Sequence, residues 1–350
     1  MNLNDLKNYK NIDASNMLAS INALPDQLEN AYRQGRDYPL PVDKEYDSVI
    51  IAGMGGSAIG ADLLVSYIKP ELKIPTVVLR DYKLPGWAQG KKCLVTCSSH
   101  SGNTEETNSV FAQAVTRNCT IVAITTGGKL YNSSVKEKNI IWQFSHNGQP
   151  REAVGWSFGL LLRLFSRLSI ISSKEKEISA AVCSMKDLLK KISAEIPTAN
   201  NPAKRLAGQL VDQYVSIFSA EHLIPVARRW KTQINELAKA WGQFECLPEA
   251  DHNTLAGVVN PSDLLLKIFT VFLKSNQFHP RNSMRMDLTF TEFMVAGLCT
   301  DQLDFSADYR LAEIWNAILF GDFVSYYLAI IYNIDPTPID SIESLKMQMG

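Results

Sequence analysis

Cysteine, histidine and net charge are all scarce in this chain. Six cysteines (Cys93, Cys97, Cys119, Cys183, Cys246, Cys299) are scattered over 350 residues, none at C-x-x-C spacing, and Cys93 and Cys97 fall in an apolar, strand-like run. That distribution predicts small core residues, with neither a disulfide framework nor a metal site. The five histidines show no H-x3-H or H-E-x2-H spacing, which again predicts no metal. Lys plus Arg number 35 against 36 Asp plus Glu. No large field therefore recruits nucleic acid or a membrane, and no basic or helix-turn-helix segment is evident. Residues 1–36 are polar and helix-like, without the apolar core of a signal peptide. The longest apolar stretches meet Lys, Asp or Gly within about 10 residues, which reads as too short to span a bilayer. With 46% apolar and 20% charged residues, the chain is expected to be a soluble, cytoplasmic globular protein.

What is present is an alternation of β-rich and helical runs. Val49–Ala52, Ile74–Leu79, Cys93–Cys97, Thr120–Thr125 and Asn139–Phe144 read as strands, with helices at Ala58–Tyr67 and Thr104–Thr116. Apolar runs without clean alternation predict strands buried on both faces, hence a parallel sheet covered by helices. A long helical passage from Ala153 to Ile196 ends at the Pro197–Pro202 cluster, the expected hinge. A second alternation follows: a strand at Val215–Phe218, a helix around Thr232–Gly242, an apolar run at Leu264–Leu273, a helix at Arg281–Ala296 and a strand near Cys299–Phe305. The apolar tail Trp315–Tyr332 predicts a buried helix or a subunit interface. The fold class is therefore α/β, two doubly wound parallel-sheet domains with flanking helices, whose two alternations point to a duplication.

Gly53-Met54-Gly55-Gly56-Ser57-Ala58 follows a strand and opens a helix, so its backbone can approach an anion at a helix N-terminus. The same hexamer satisfies G-x-G-x-x-A, and Asp81 falls where a ribose-binding acid would sit in a nicotinamide enzyme. A tight turn with no ligand is the third reading. Ser98-Ser99-His100-Ser101-Gly102-Asn103-Thr104 then forms a second, hydroxyl-rich loop that again opens a helix, with Glu105 and Glu106 in its first turn. Capping needs one hydroxyl; four around one glycine suit a phosphate dianion, and a dinucleotide site has no use for them.

GMGGSAIGADL and SSHSGNTEET resemble the sugar isomerase (SIS) domain of phosphosugar isomerases and phosphosugar-binding proteins. Gln149–Gly155, Trp230–Lys239, Leu247–Asn253, Asp335–Ile339 and Leu345-Lys346 narrow the resemblance to the bifunctional phosphoglucose/phosphomannose isomerase family, from about residue 45 onwards. The resemblance implies an N-terminal helical segment over 1–45, a first SIS domain over 46–170, a helical linker over 171–205, a second SIS domain over 206–335 and a helical tail over 336–350. It also implies a homodimer, no metal or redox cofactor, and a hexose 6-phosphate substrate.

Carried over by position, Gly55, Gly56 and Ser57 line the sugar side, while Ser99, Ser101 and Thr104 hold the phosphate. Arg151 stabilises an enediolate, Glu236 is the base, His252 opens the sugar ring from the partner subunit, and Lys346 assists. The chemistry fits these residue types: one tuned carboxylate can shuttle a proton between adjacent carbons, arginine stays charged, and histidine titrates near neutrality. Read without the motif, Glu236 is equally a solvated helix residue paired with Lys231 or Lys239, and Arg151 a surface arginine held extended after Pro150. His100 and His252 are the functional candidates among the histidines, and His146, His222 and His279 read as structural.

Three departures stand beside the site. His100 replaces a tyrosine usual in the family, Phe218-Ser219-Ala220-Glu221 lacks an expected Gly-Ser pair, and Leu237 replaces a polar residue. The reading is an aldose–ketose isomerase; the alternatives are a non-catalytic phosphosugar-binding protein, an isomerase of a different sugar phosphate, or a nicotinamide dehydrogenase.

Overall fold

The computed structural model of the chain describes residues 2–42 and 45–349. In chain order its elements are α1 (Leu6–Ile12), α2 (Met17–Asn22), α3 (Leu24–Gln34), β1 (Ser48–Ala52), α4 (Gly55–Ile68), β2 (Thr76–Leu79), β3 (Cys93–Ser99), α5 (Glu105–Thr116), β4 (Thr120–Thr125), α6 (Gly128–Lys136) and β5 (Ile140–Gln143). There follow α7 (Val154–Arg167), α8 (Glu175–Ile192), α9 (Pro202–Gln209), β6 (Tyr214–Ala220), α10 (Ile224–Leu237), β7 (Gly242–Leu247), α11 (Ser262–Leu265), β8 (Ile268–Lys274), α12 (Pro280–Val295), β9 (Cys299–Asp304), α13 (Arg310–Ile331) and α14 (Asp340–Met349). The chain forms two compact units, Leu24–Val182 and Met1–Ala23 together with Cys183–Gly350.

In the Leu24–Val182 unit a five-stranded sheet runs in the order β2-β1-β3-β4-β5. Every pairing is parallel, with Ile50 opposite both Val77 and Val95. β3 is buried along its whole length, which is why its sequence shows no alternation. One face of the sheet closes over a core that includes Ile50, Val95, Val110, Phe111, Ile121 and Leu130. α3 and α7 pack so closely that a Cβ on Gly159 would lie 2.7 Å from that of Ala31, and the Arg163 guanidinium lies over the Tyr32 ring at 3.7 Å. The expected single helical passage Ala153–Ile196 is two helices, α7 and α8. Ser169, at φ 58, breaks it, and Ser172-Ser173 supply no helical preference.

In the other unit the four-stranded sheet runs β7-β6-β8-β9, again all parallel. It repeats the order of the first four strands of the larger sheet. Residues 1–23 belong here through buried polar contacts: the Lys204 ammonium, 1% exposed, donates to the carbonyls of Leu3, Ala194 and Ile196 at 2.7–2.9 Å, and the Tyr326 hydroxyl donates to Asp13 at 3.1 Å. Two sequence assignments are corrected. The helix expected at Thr232–Gly242 starts earlier, with Pro225 in its first turn, and Gly242–Leu247 is a strand, β7.

α13 is the predicted buried helix. It is also long and apolar enough to cross a membrane, contrary to the reading from its sequence, but 89% of its most apolar window is buried inside the protein. Its polar residues are paired: Asp322 receives Arg229 of α10 in a two-pronged contact at 3.1 and 2.6 Å. Gly321 lets the Trp230 indole approach, and that indole N–H donates to the Ala317 carbonyl at 2.8 Å. α10, which ends at Leu237, is thus fixed against α13. Asp322→Ala should strand the Arg229 charge in the core and cost about 3–5 kcal/mol. A urea midpoint shift at constant slope would measure it.

Candidate functional site

β1 and β3 are neighbours, yet their connections leave toward opposite sides of the sheet. Their carboxyl ends therefore form a crevice at the topological switch point, the usual ligand position in such sheets. The approach is close: a Cβ on Gly53 would sit 2.9 Å from the Ser98 carbonyl oxygen. α4 opens at Gly55, with φ 49, and no side chain caps it. α5 opens after Thr104, again without a side-chain cap. Two helix N-termini of the same crevice thus offer backbone N–H groups and partial positive charge to an anion.

The hydroxyls around them form a connected set. Ser98 and Ser99 are the last residues of β3 and not part of the loop. Ser99 is 1% exposed; its oxygen accepts the Gly102 N–H at 3.1 Å and lies 2.9 Å from the Thr104 hydroxyl. The Ser57 oxygen accepts the His100 N–H at 3.2 Å, tying the two loops together. The exposed Ser101 accepts the Asn103 N–H at 3.2 Å. Gly102, at φ 68, has no room for a side chain, since a Cβ would meet the Gly127 carbonyl at 1.8 Å.

Arg151 belongs to a 3₁₀ turn, Pro150–Ala153, whose Pro150 and Ala153 line the same crevice and which Gln149 and Glu152 close with a reciprocal capping box. The residue before this turn is extended, and Pro150 itself begins the helical turn, so the expected extended backbone at Arg151 gives way to a 3₁₀ one. Arg151 is 4% exposed, which removes the surface-arginine alternative. The turn presses on the first loop: a Cβ on Gly56 would lie 2.4 Å from the Pro150 carbonyl oxygen. Gln27 braces it, donating to the Glu152 carbonyl at 2.8 Å and accepting the Gly155 N–H at 2.7 Å. Gly55, Gly56, Ser57, Ser99, Ser101, Thr104 and Arg151 are thus brought together within one unit. Asp81, the ribose-binding residue of the dinucleotide reading, is exposed beyond β2 and accepts the N–H of Tyr82 at 2.5 Å.

Glu236, His252 and Lys346 belong to the other unit. Glu236 is half-buried in the last turn of α10, where the Lys239 ammonium donates to its carbonyl at 2.6 Å. His252 is exposed at the end of a 3₁₀ turn, Glu249–His252. Lys346 is exposed in the last turn of α14.

A family model described as the bacterial phospho-glucose isomerase C-terminal SIS domain matches residues 199–349. A bifunctional phosphoglucose/phosphomannose isomerase from Caldicellulosiruptor bescii is 38% identical over 338 residues, covering 95% of this chain and 99% of the relative. This chain belongs to the bifunctional phosphoglucose/phosphomannose isomerase family. It is accordingly an enzyme of the phosphosugar isomerase type. A second family member, from Aquifex aeolicus, is 30% identical over 305 residues, covering 87% of this chain and 91% of its own. Among solved structures, a hypothetical protein from Thermus thermophilus superposes with a TM-score of 0.74 at 13% identity, covering 95% and 90% of the two chains; that likeness concerns the fold alone.

Against the family pattern, the departures take on distinct physical meanings. Leu237 is fully buried, a core residue. Glu221 occupies the counterpart of Gly55: Met54 (φ −128, ψ 160) precedes Gly55 at φ 49, and Ala220 (φ −131, ψ 161) precedes Glu221 at φ 48. The Glu221 carboxylate accepts the His279 N–H at 2.6 Å and the Asn282 amide at 2.7 Å, at the start of α12. A carboxylate of the chain itself is thus already bound at the second switch point. Beside it the wholly buried Glu313 carboxylate contacts His222 Nε2 at 2.6 Å and accepts from Ser275 at 2.6 Å and Gln277 at 3.2 Å. The sequence reading missed Glu313, which lies in an apolar helix with nothing to mark it, and it left His146, which meets His100, among the structural histidines. Glu221→Ala should cost about 1–2 kcal/mol by removing this helix-start acceptor. Glu221→Gly should cost less, because glycine tolerates the positive φ; urea unfolding of both variants separates the two contributions.

Proposed function

We propose that this enzyme interconverts glucose 6-phosphate, mannose 6-phosphate or both with fructose 6-phosphate through an enediol(ate). The observation that carries this reading is the crevice between β1 and β3, where two uncapped helix starts and a run of hydroxyls meet the buried Arg151 turn. Gly55, Gly56 and Ser57 face the sugar; Ser99, Ser101 and Thr104 with the α5 N-terminus hold the phosphate. Ser99 acts through Thr104, since its own oxygen is engaged within the loop. Glu236 removes a proton from one carbon of the open-chain sugar and returns it to the neighbour. Arg151, charged at any working pH, stabilises the negative charge that develops on the enediolate oxygens. His252 moves the proton that opens the ring, and Lys346 assists from α14. No redox or metal cofactor enters these steps. The names of the relatives support the hexose 6-phosphate assignment; His100, in the crevice where the family usually has tyrosine, favours testing other sugar phosphates as well.

The reading includes a homodimer with His252 contributed across the interface. Asp251 clamps the His252 turn to α12, accepting from Arg285 at 2.9 Å and Thr289 at 2.7 Å. The same helix leaves Met284, Leu288 and Val295 exposed by 51%, 59% and 80%. Spaced at i, i+4 and i+11, they form an apolar stripe suited to a second copy. The six free thiols support a reducing, cytoplasmic location.

Glu236→Gln should fold and bind 6-phosphogluconate yet lose at least about a thousandfold in turnover, as a sole general base requires. Activity within about tenfold of wild type would remove Glu236 from the mechanism. Ser101→Ala combined with Thr104→Ala should raise KM more than it lowers kcat, whereas a pure kcat defect would place the phosphate elsewhere. A coupled assay over hexose, pentose and hexosamine 6-phosphates fixes the substrate.

A further inference from the structure

Two imidazoles meet at the wall of the crevice. His100 Nε2 lies 3.0 Å from His146 Nδ1, and the rings are nearly perpendicular, 83° apart with centroids at 5.1 Å. His100 lines the crevice together with Gly56, Ser57, Ser98 and Pro150. Its position is fixed from both sides. Its N–H donates to Ser57, and its carbonyl accepts the N–H and hydroxyl of Thr126 at 3.1 and 2.7 Å. Its ring stands edge-on to Phe144, which stacks on Trp156 at 5.5 Å.

The groups around the pair are few in kind. Ser57 and Thr126 are neutral. From the Pro150–Ala153 turn come Arg151 and Glu152, and the Glu152 carboxylate already accepts the Gln149 N–H at 2.8 Å. Burial, then His146, lower the His100 pKa to about 4, with Glu152 opposing. Burial likewise lowers that of His146, against Glu152 and a backbone contact at Gly148. With the crevice empty the pair is therefore neutral at pH 7. It holds two ring protons, one of them between the rings. The Ser and Thr hydroxyls and helix-start amides are also neutral, so a phosphate dianion brings two charges that they alone do not balance.

We infer that the His100–His146 pair is a proton-binding part of the phosphate cradle, taking up one proton from solvent as a sugar phosphate enters. The added proton converts one imidazole to imidazolium. The pair then carries three N–H groups, one shared between the rings and one on each outer nitrogen, and a positive charge beside the dianion. A tyrosine at position 100 offers a hydroxyl but no such charge. The inference rests on the crevice being a phosphosugar site and adds a linkage between affinity and pH that neutral hydroxyls lack.

The test is titration calorimetry of the full-length protein with sorbitol 6-phosphate, which has no carbonyl to isomerise, at pH 7.5 in buffers of different ionisation enthalpy. The phosphate, with a second pKa near 6, is already dianionic there. Wild type should take up about half to one proton per site, and its affinity should fall as pH rises from 7 to 9. His100→Tyr and His146→Gln should bind with near-zero uptake and a flat Kd over that range. Binding by wild type without proton uptake, or undiminished uptake in both variants, overturns the inference, and the wild-type measurement needs no variant to fold. Absence of any sorbitol 6-phosphate binding by wild type would instead overturn the phosphosugar reading, and this inference with it.

Discussion

The site depends on how closely two backbones approach where β1 and β3 end. Their parallel register pairs Ala52, the last residue of β1, with Cys97, and β3 runs on to Ser99, so both chains leave the sheet in the same direction and close together. At Gly53 and again at Gly56 a single methyl group would collide with a backbone carbonyl, of Ser98 in one case and Pro150 in the other. Glycine is required there by neighbours and at Gly102 by neighbours and positive φ together, while at Gly55 positive φ alone favours it. Once those four positions are glycine, two helix starts and the Arg151 turn share one crevice without a side chain being spent on capping. The hydroxyls that would otherwise cap α5 are held by one another, Ser99 to Thr104, or by the loop amides of Gly102 and Asn103. The cradle is thus built by backbone proximity first and by hydroxyl chemistry second.

The repeated strand order makes the second unit an internal control. Its first loop has the same dihedrals as the first loop of the larger sheet, to within a few degrees at each of two residues. What differs is a side chain. A carboxylate at the position of Gly55 reaches the start of α12, where it accepts the His279 N–H and the Asn282 side-chain amide, and a buried His222–Glu313 contact lies beneath. A helix start that already holds an anion repels another. Two copies of one architecture therefore differ in charge at this point through a residue whose backbone conformation scarcely changes.

The sequence was informative where local pattern and burial agree. The five strands of the larger sheet are apolar on both faces, and all five were found within two residues at either end. The two loops were legible as glycines and hydroxyls at strand–helix junctions. β7 escaped because Gln243 and Glu245 flank Phe244 in a partly buried middle, so no apolar run marks it. The start of α10 escaped because the expected helix began only at Thr232, although Pro225 is suited to a first turn. The break between α7 and α8 rests on one left-handed serine, Ser169, a conformation that sequence pattern does not signal.

The least legible part of the site is the one that sequence spacing cannot encode. His100 and His146 are 46 residues apart and lie just beyond β3 and β5, strands separated in the sheet by β4. No motif joins them: His100 reads as a candidate within the hydroxyl-rich loop, and His146 as structural. Only the strand order, with Phe144 and Trp156 stacked behind, brings the rings within hydrogen-bond distance. The same sheet order also puts them beside the crevice that His100 lines with Gly56, Ser57 and Pro150. A tyrosine in that place would depend on the protein's fixed donors to hold a dianion at every pH. A pair of imidazoles, neutral on its own, can instead match its charge to an anion, so on the phosphosugar reading histidine at position 100 adds a charge response that a tyrosine hydroxyl lacks.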